Sequence, residues 1–311
     1  MDAPSTRNLP ATAVALKVIA VFLFTCMAAM IKAATESVPA GQALFFRCFF
    51  SIPVILLWLW SRNELREGLI PKSLTGHIWR GVFGTTAMGM TFAGLMLLPL
   101  PEVTAIGYAT PIFTVIFAAI FLGERIRLFR ISAVALGLVG VLIVMWPRLS
   151  VNDLSDAATI GALLVLGASV LRALVQIFIR QMVKTEHTAA IVFWFMTTAT
   201  VMSLTTIPFG WVMPSAWDAG LLITAGAIGA VAQILVTSSY RFGAASMLAP
   251  FDYTSMIFAV LIGWLIFSEL PTLVMILGST LVIAGGALII WRERQLGKEH
   301  RRARSVTDPK G

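Results

Sequence analysis

E-V-T-A-I-G-Y-A-T-P-I-F-T-V-I-F-A-A-I-F-L-G-E runs from Glu102 to Glu124, and after a short basic link a second apolar run ends at Trp146. Moving 145 positions along the chain returns much of this stretch. Tyr108 falls on Tyr253, Ile112-Phe113 on Ile257-Phe258, Val115 on Val260, Glu124 on Glu269, Gly140 on Gly285 and Trp146 on Trp291. The same offset carries Gly81 onto Gly226 and Gly84 onto Gly229. Leu, Ile and Val recur by chance in any apolar chain. A Tyr, a Glu and a Trp at one fixed offset mark two copies of one unit.

The composition names the solvent. Charged residues make up 12% of the 311 residues and hydrophobic ones 58%. Soluble domains carry about 25% charged residues, so this chain lacks the material for a polar coat and reads as an integral membrane protein. The net charge of +8 sits in short links and the tail, with no basic groove of the kind that binds nucleic acid. Cys26 and Cys48 lie inside apolar runs and read as buried thiols. Ala11 to Ala34 is too long for a signal-peptide core and reads as a first membrane helix.

A spanning helix needs about 20 mainly apolar residues. Ten such stretches are predicted, at 12–33, 40–60, 78–97, 101–122, 128–146, 158–180, 188–209, 217–239, 244–267 and 272–291. The expected fold is all-α, with an N-terminus over 1–10, a first five-helix repeat over 11–147, a second over 156–291 and a basic tail over 292–311. With the N-terminus cytoplasmic, 18 of the 23 Lys and Arg lie on the inner side, Lys32 and Arg148 on the outer side, and Lys17, Arg47 and Arg172 within helices. That bias places both ends in the cytoplasm. Five is odd, so the second copy crosses in the opposite sense. Inverted repeats are a recurrent design of secondary transporters, which bind solute between the copies and open to either side.

The ten spans, with Y-A-T-P (Tyr108 to Pro111) and L-G-E (Leu122 to Glu124), resemble the drug/metabolite transporter superfamily in its EamA-type 5+5 form. A-P-F-D-Y-T (Ala249 to Thr254) and F-S-E-L-P (Phe267 to Pro271) are the second-half counterparts. Three further stretches resemble its bacterial riboflavin-uptake branch: I-K-A-A (Ile31 to Ala34), F-F-R-C-F-F (Phe45 to Phe50) and L-P-L-P-E (Leu98 to Glu102). S-adenosylmethionine carriers and aromatic amino-acid exporters are also similar. The resemblance implies an inner-membrane carrier of a small metabolite, with riboflavin uptake the leading expectation. No cofactor is implied.

Ionisable groups at membrane depth are costly and face a cavity or a partner. Arg47 either binds an anionic group or pairs with Glu102. Arg172, with Gln176 one turn on, is read as facing a cavity. Asp252 follows Pro250, which frees a carbonyl and interrupts the helix. It is read as a proton or cation site, or as a charge pair with Arg172. Tyr108 and Tyr253 either flank a flat solute or tie helices together by their hydroxyls. Gln233 and Tyr240 are weaker candidates, and Trp194 reads as packing. Glu124 and Glu269 read as structural, bonding to free backbone groups of the other copy. Gly81, Gly84, Gly89, Gly226 and Gly229 are expected where helices approach closely. There is no phosphate-binding loop, H-E-x-x-H motif or histidine cluster among His77, His187 and His300, which argues against an ATP-driven pump or a metalloenzyme.

Overall fold

The computed structural model describes residues 10–122, 128–148, 156–182, 185–242 and 248–285, with 287, 288 and 291. Glu124, His300, the tail and the side chains of Arg180 and Tyr240 lie outside the described residues. The helices in chain order are α1 (Pro10–Ala34), α2 (Ala40–Phe49), α3 (Ser51–Ser61), α4 (Leu65–Leu69), α5 (Leu74–Leu97), α6 (Leu100–Gly107), α7 (Ala109–Leu122) and α8 (Leu128–Met145). The second half continues with α9 (Ala157–Met182), α10 (Thr188–Leu204), α11 (Ala216–Phe242) and α12 (Thr254–Phe267), then α13 (Leu273–Gly285).

Four helical stretches are long and apolar enough by themselves to cross a bilayer: Ala11–Ala34, Ala40–Ser61, Ala157–Ile179 and Ala216–Val236. At 1.5 Å per residue, the 25 residues of α1 reach about 37 Å, past a hydrocarbon core of about 30 Å. Large apolar side chains stay exposed around the outside, among them Leu57, Phe121, Leu265 and Leu277. That belt is what a lipid-facing surface requires.

Three of the ten predicted spans are interrupted, two of them in the first half. The second parts into α2 and α3 at Phe50, and the fourth into α6 and α7 at Tyr108. The signal is a proline three residues on, Pro53 and Pro111, which offers no N–H to the carbonyl four residues back. In the second half, Ala249–Tyr253 forms a 3-10 turn that passes into α12 at Thr254. This is the interruption expected from Pro250. Tyr108 and Tyr253, 145 positions apart, therefore stand at equivalent joints.

The halves interleave. α1 packs along α11 and α5 along α9, while α2 packs against α10 and α6 against α12. Taken span by span, with α6 and α7 as the fourth and the 3-10 turn and α12 as the ninth, each of these contacts maps onto itself or another when the copies are exchanged, as a pseudo-twofold axis demands. Glycines allow the closest approaches. A methyl group at Gly140 of α8 would sit 2.6 Å from Gly278 O of α13, and one at Gly226 would sit 3.0 Å from Arg47 O. Gly81, Gly84 and Gly229 are equally tight, whereas a methyl at Gly89 would reach only Leu44 Cδ2, at 3.7 Å. Gly89 is thus no close-approach site. Of the two cysteines, Cys48 is buried and Cys26 only partly so.

Ionic clasps join the copies at both ends. Glu269 Oε1 lies 2.9 Å from Lys32 Nζ, and Glu269 Oε2 accepts from Leu100 N–H at 2.9 Å. Lys32 also donates to Leu98 O at 2.7 Å. Glu269 of the second copy thereby caps α6 of the first, as expected of a structural carboxylate. At the other end Glu186 accepts from Lys72 and Ser73 N–H at 3.0 and 2.6 Å, with His77 Nε2 at 3.3 Å. Burial pushes the Glu186 carboxyl up, but the bonds from Lys72, His77 and Ser73 outweigh it and hold the group below the usual glutamate range.

Candidate functional site

The interrupted fourth and ninth spans bring Gly107 and Tyr108 of the first copy close to Asp252 and Ser255 of the second. Between them lies a cavity of about 390 Å³, whose wall also takes in Val21 to Ala28 of α1, Thr91 to Leu95 of α5, and Arg172 of α9. Small-molecule sites run from about 300 to 1,000 Å³, so the cavity is large enough for a metabolite. Its wall draws on both copies.

Its electrostatics are set by three side chains. Asp252, whose side chain is 53% exposed, holds Lys17 Nζ at 2.7 Å, and the Lys17 side chain is 4% exposed. Lys17 lies on α1, two turns in from its start. Asp252 is therefore charge-paired, but with Lys17 and not with Arg172, the partner that reading named. Lys17 reaches the carboxylate because α1 packs along the 3-10 turn and α12. Arg172 instead donates from Nη2 to Ser169 Oγ at 3.2 Å, and its Nε is buried with no hydrogen-bond partner. No ion pair to Arg172 occurs among the described residues.

The tyrosines do not stand apart to receive a flat ring. Their rings meet edge to face at 5.1 Å between centroids and 71°. The Tyr108 hydroxyl lies 2.6 Å from Ser255 Oγ and 3.2 Å from Tyr253 O. Ser255 gives its own proton to Asp252 O at 2.7 Å, so the tyrosine is the donor. The hydroxyl ties α6 to the second joint, which is the structural alternative.

The remaining candidates scatter. Arg47 is buried, with Nη1 3.4 Å from Met196 Sδ and 3.8 Å from Cys48 Sγ. It does not pair with Glu102, because α2 turns it toward α10 and the glycines of α11. Glu102 is buried at the start of α6 and outside the cavity wall. Gln176 accepts from Thr114 at 3.1 Å, and Gln233 lines a separate small pocket with Ile55 and Trp58. Trp194 donates to Leu69 O at 2.9 Å, which fits packing. Of the nine residues singled out, Tyr108, Arg172 and Asp252 line the cavity, and Tyr253 backs it. Sequence reasoning missed Lys17, Ser255 and Gly107. Lys17 carried the same signal as Arg172, a charge inside an apolar helix.

An all-helical membrane protein of two interleaved repeats around a shared cavity is the architecture of a carrier. The chain belongs to the EamA-like transporter family, which matches residues 11–146 and 159–291. It is thus a multi-pass membrane transporter of small molecules, and no enzyme. The pseudopaline exporter CntI of Pseudomonas aeruginosa is 30% identical, over 91% of this chain and 95% of its own. The S-adenosylmethionine uptake transporter of Rickettsia felis is 25% identical, over 83% and 86%. The riboflavin transporter of Rhizobium johnstonii is 28% identical, over 70% of each. A solved crystal structure, 19% identical, superposes with a TM-score of 0.66 over 92% of this chain and 99% of that one, which supports the fold.

Proposed function

We propose that this chain is a secondary carrier of a bacterial inner membrane, with both termini cytoplasmic, and that it moves a small zwitterionic metabolite by alternating access. The observation that carries this reading is the cavity wall. Both copies contribute to it, and it presents Arg172 at one place and the half-exposed Asp252 at another. A solute with an anionic and a cationic end meets both. Asp252 is then the coupling site, where a proton, a cation or the solute's own cationic end competes with Lys17. The test is counterflow in proteoliposomes with labelled S-adenosylmethionine, the zwitterion named in one group of relatives. Saturable exchange that falls in Asp252→Asn, or changes its pH dependence there, supports the reading. Exchange unchanged in both rate and pH profile removes the coupling role.

A second reading, riboflavin uptake, is favoured by the I-K-A-A and L-P-L-P-E stretches and by the riboflavin transporter relatives. Against it, the tyrosines are packed on one another. Expression in a riboflavin-requiring bacterium that lacks an uptake system separates the two. Saturable flavin uptake blocked only by flavins would replace the zwitterion reading. No uptake by correctly inserted protein would remove riboflavin.

A further inference from the structure

The repeat offset sets Gly107 opposite Asp252. Each stands one residue before the tyrosine at its joint, Gly107 as the last residue of α6 and Asp252 within the 3-10 turn Ala249–Tyr253. Both line the cavity. At the second joint the position carries a carboxylate, and a buried cation from a helix of the other copy, Lys17 of α1, sits on it. At the first joint the position has no side chain. A guanidinium from a helix of the other copy, that of Arg172 of α9, sits beside it instead. A Cβ built on Gly107 would meet one heavy atom within 4 Å, Arg172 Nη2 at 3.5 Å, an ordinary contact distance. α9 is the repeat counterpart of α1, so each joint is matched with a cation from the corresponding helix.

The two copies thus hold related arrangements that differ in two parts: the first joint lacks the carboxylate, and its cation stands at another position on the helix, since Lys17 corresponds to Ala162 and Arg172 to Met27. The second completes its cation–carboxylate pair from within the protein. The first provides the cation and the space beside it. Arg172 has one neutral hydroxyl as hydrogen-bond acceptor and a buried Nε that donates to nothing. A buried N–H without an acceptor is costly, and the planar fork of a guanidinium is shaped for a carboxylate.

We infer that the transported solute supplies the carboxylate of the first joint: a carboxylate-bearing metabolite binds over Gly107 against Arg172, and Gly107 sets this specificity by leaving the position to the solute. This inference rests on the cavity being the transport site. It adds the chemical group recognised and the residues that recognise it. A glycine is required because any carboxylate side chain there would take the place of the solute, as Asp252 does for Lys17.

The experiment compares Gly107→Asp with Gly107→Asn in the full chain. The two side chains have nearly the same size and differ in charge. In purified carrier, Gly107→Asp is expected to melt at least about 2 °C above Gly107→Asn at neutral pH, a gain of roughly 1 kcal/mol or more in a chain of this size. The gain should vanish in an Arg172→Gln background. Equal melting of the two variants overturns the inference, whatever is transported. Binding is read in detergent with S-adenosylmethionine and its decarboxylated form. Wild type is expected to prefer the carboxylate form at least tenfold, and Gly107→Asp to abolish that preference while Gly107→Asn keeps it. Equal binding of both forms to wild type, or binding of neither, overturns the inference. Binding that follows the expected pattern without movement across proteoliposomes would leave the carboxylate site intact and sink the carrier reading on which it was built.

Discussion

At one joint Gly107 and Tyr108 stand beside Arg172, and at the other Asp252 and Tyr253 stand beside Lys17. Each joint interrupts one span beside the cavity: α6 ends at Gly107, and the 3-10 turn Ala249–Tyr253 runs into α12. The chemistry is unlike. Tyr108 donates across the interface toward Ser255, but Thr110, the counterpart of Ser255, has a buried hydroxyl without a hydrogen-bond partner. Duplication supplied the scaffold twice, and divergence then put a complete ion pair at one joint and a lone cation at the other. In a carrier, symmetry of backbone lets the molecule adopt two related shapes, while asymmetry of side chains gives the solute a single way to lie.

That contrast yields graded expectations. The largest effect belongs to Asp252→Asn. It takes from Lys17 a carboxylate 2.7 Å away. Breaking a fully buried pair costs about 3–5 kcal/mol, and the half-exposed carboxylate lowers this to about 2 kcal/mol. Chemical unfolding in detergent measures it, and Lys17→Met in the same chain should restore most of the loss. The opposite joint should behave in the opposite way. Arg172→Met deprives no acidic side chain among the described residues, so stability should hold or rise, while affinity for a carboxylate solute drops at least about tenfold, as loss of a charged hydrogen bond implies. A loss of stability in Arg172→Met comparable to that in Asp252→Asn would break the comparison.

Smaller effects sharpen it. Tyr108→Phe removes a hydroxyl shared between Ser255 and Tyr253 O and should cost about 1 kcal/mol. Thr110→Val exchanges a buried hydroxyl without a partner for a methyl group of like shape, so its melting temperature should be unchanged or slightly higher. Glu186→Gln, far from both joints, is the control. A native pKa below the unfolded one gives stability that is present above about pH 4.3 and lost as the pH falls through the native value. Melting curves between about pH 3 and 5 should therefore flatten in Glu186→Gln, with solute binding at pH 7 unchanged.

The repeat was legible because Tyr, Glu and Trp are rare in this chain and recurred at one offset. The crossings were legible because apolar length is a direct consequence of bilayer thickness. The breaks at Phe50 and Tyr108 were written in Pro53 and Pro111, yet apolar length alone carried the prediction straight through them. Charge partners were not legible. Arg47 and Glu102 are opposite charges in nearby apolar runs, but a sequence does not give the rotation of a helix about its axis or the neighbour it faces. Asp252 was recognised as a site, and its partner was not, because Lys17 lies 235 positions away on a helix that only packing brings alongside.

The clasp at Glu269 has a consequence in time. Leu100 N–H begins α6 and is bonded by a carboxylate 169 residues further along the chain. Synthesis runs from the N-terminus at about 5–20 residues per second, so the donor reaches the membrane roughly ten seconds or more before its acceptor exists. During that interval the first copy is inserted with the start of α6 uncapped and Lys32 without its carboxylate. The first repeat cannot finish folding as a unit of its own, and its last bonds are made when the second copy arrives to close them.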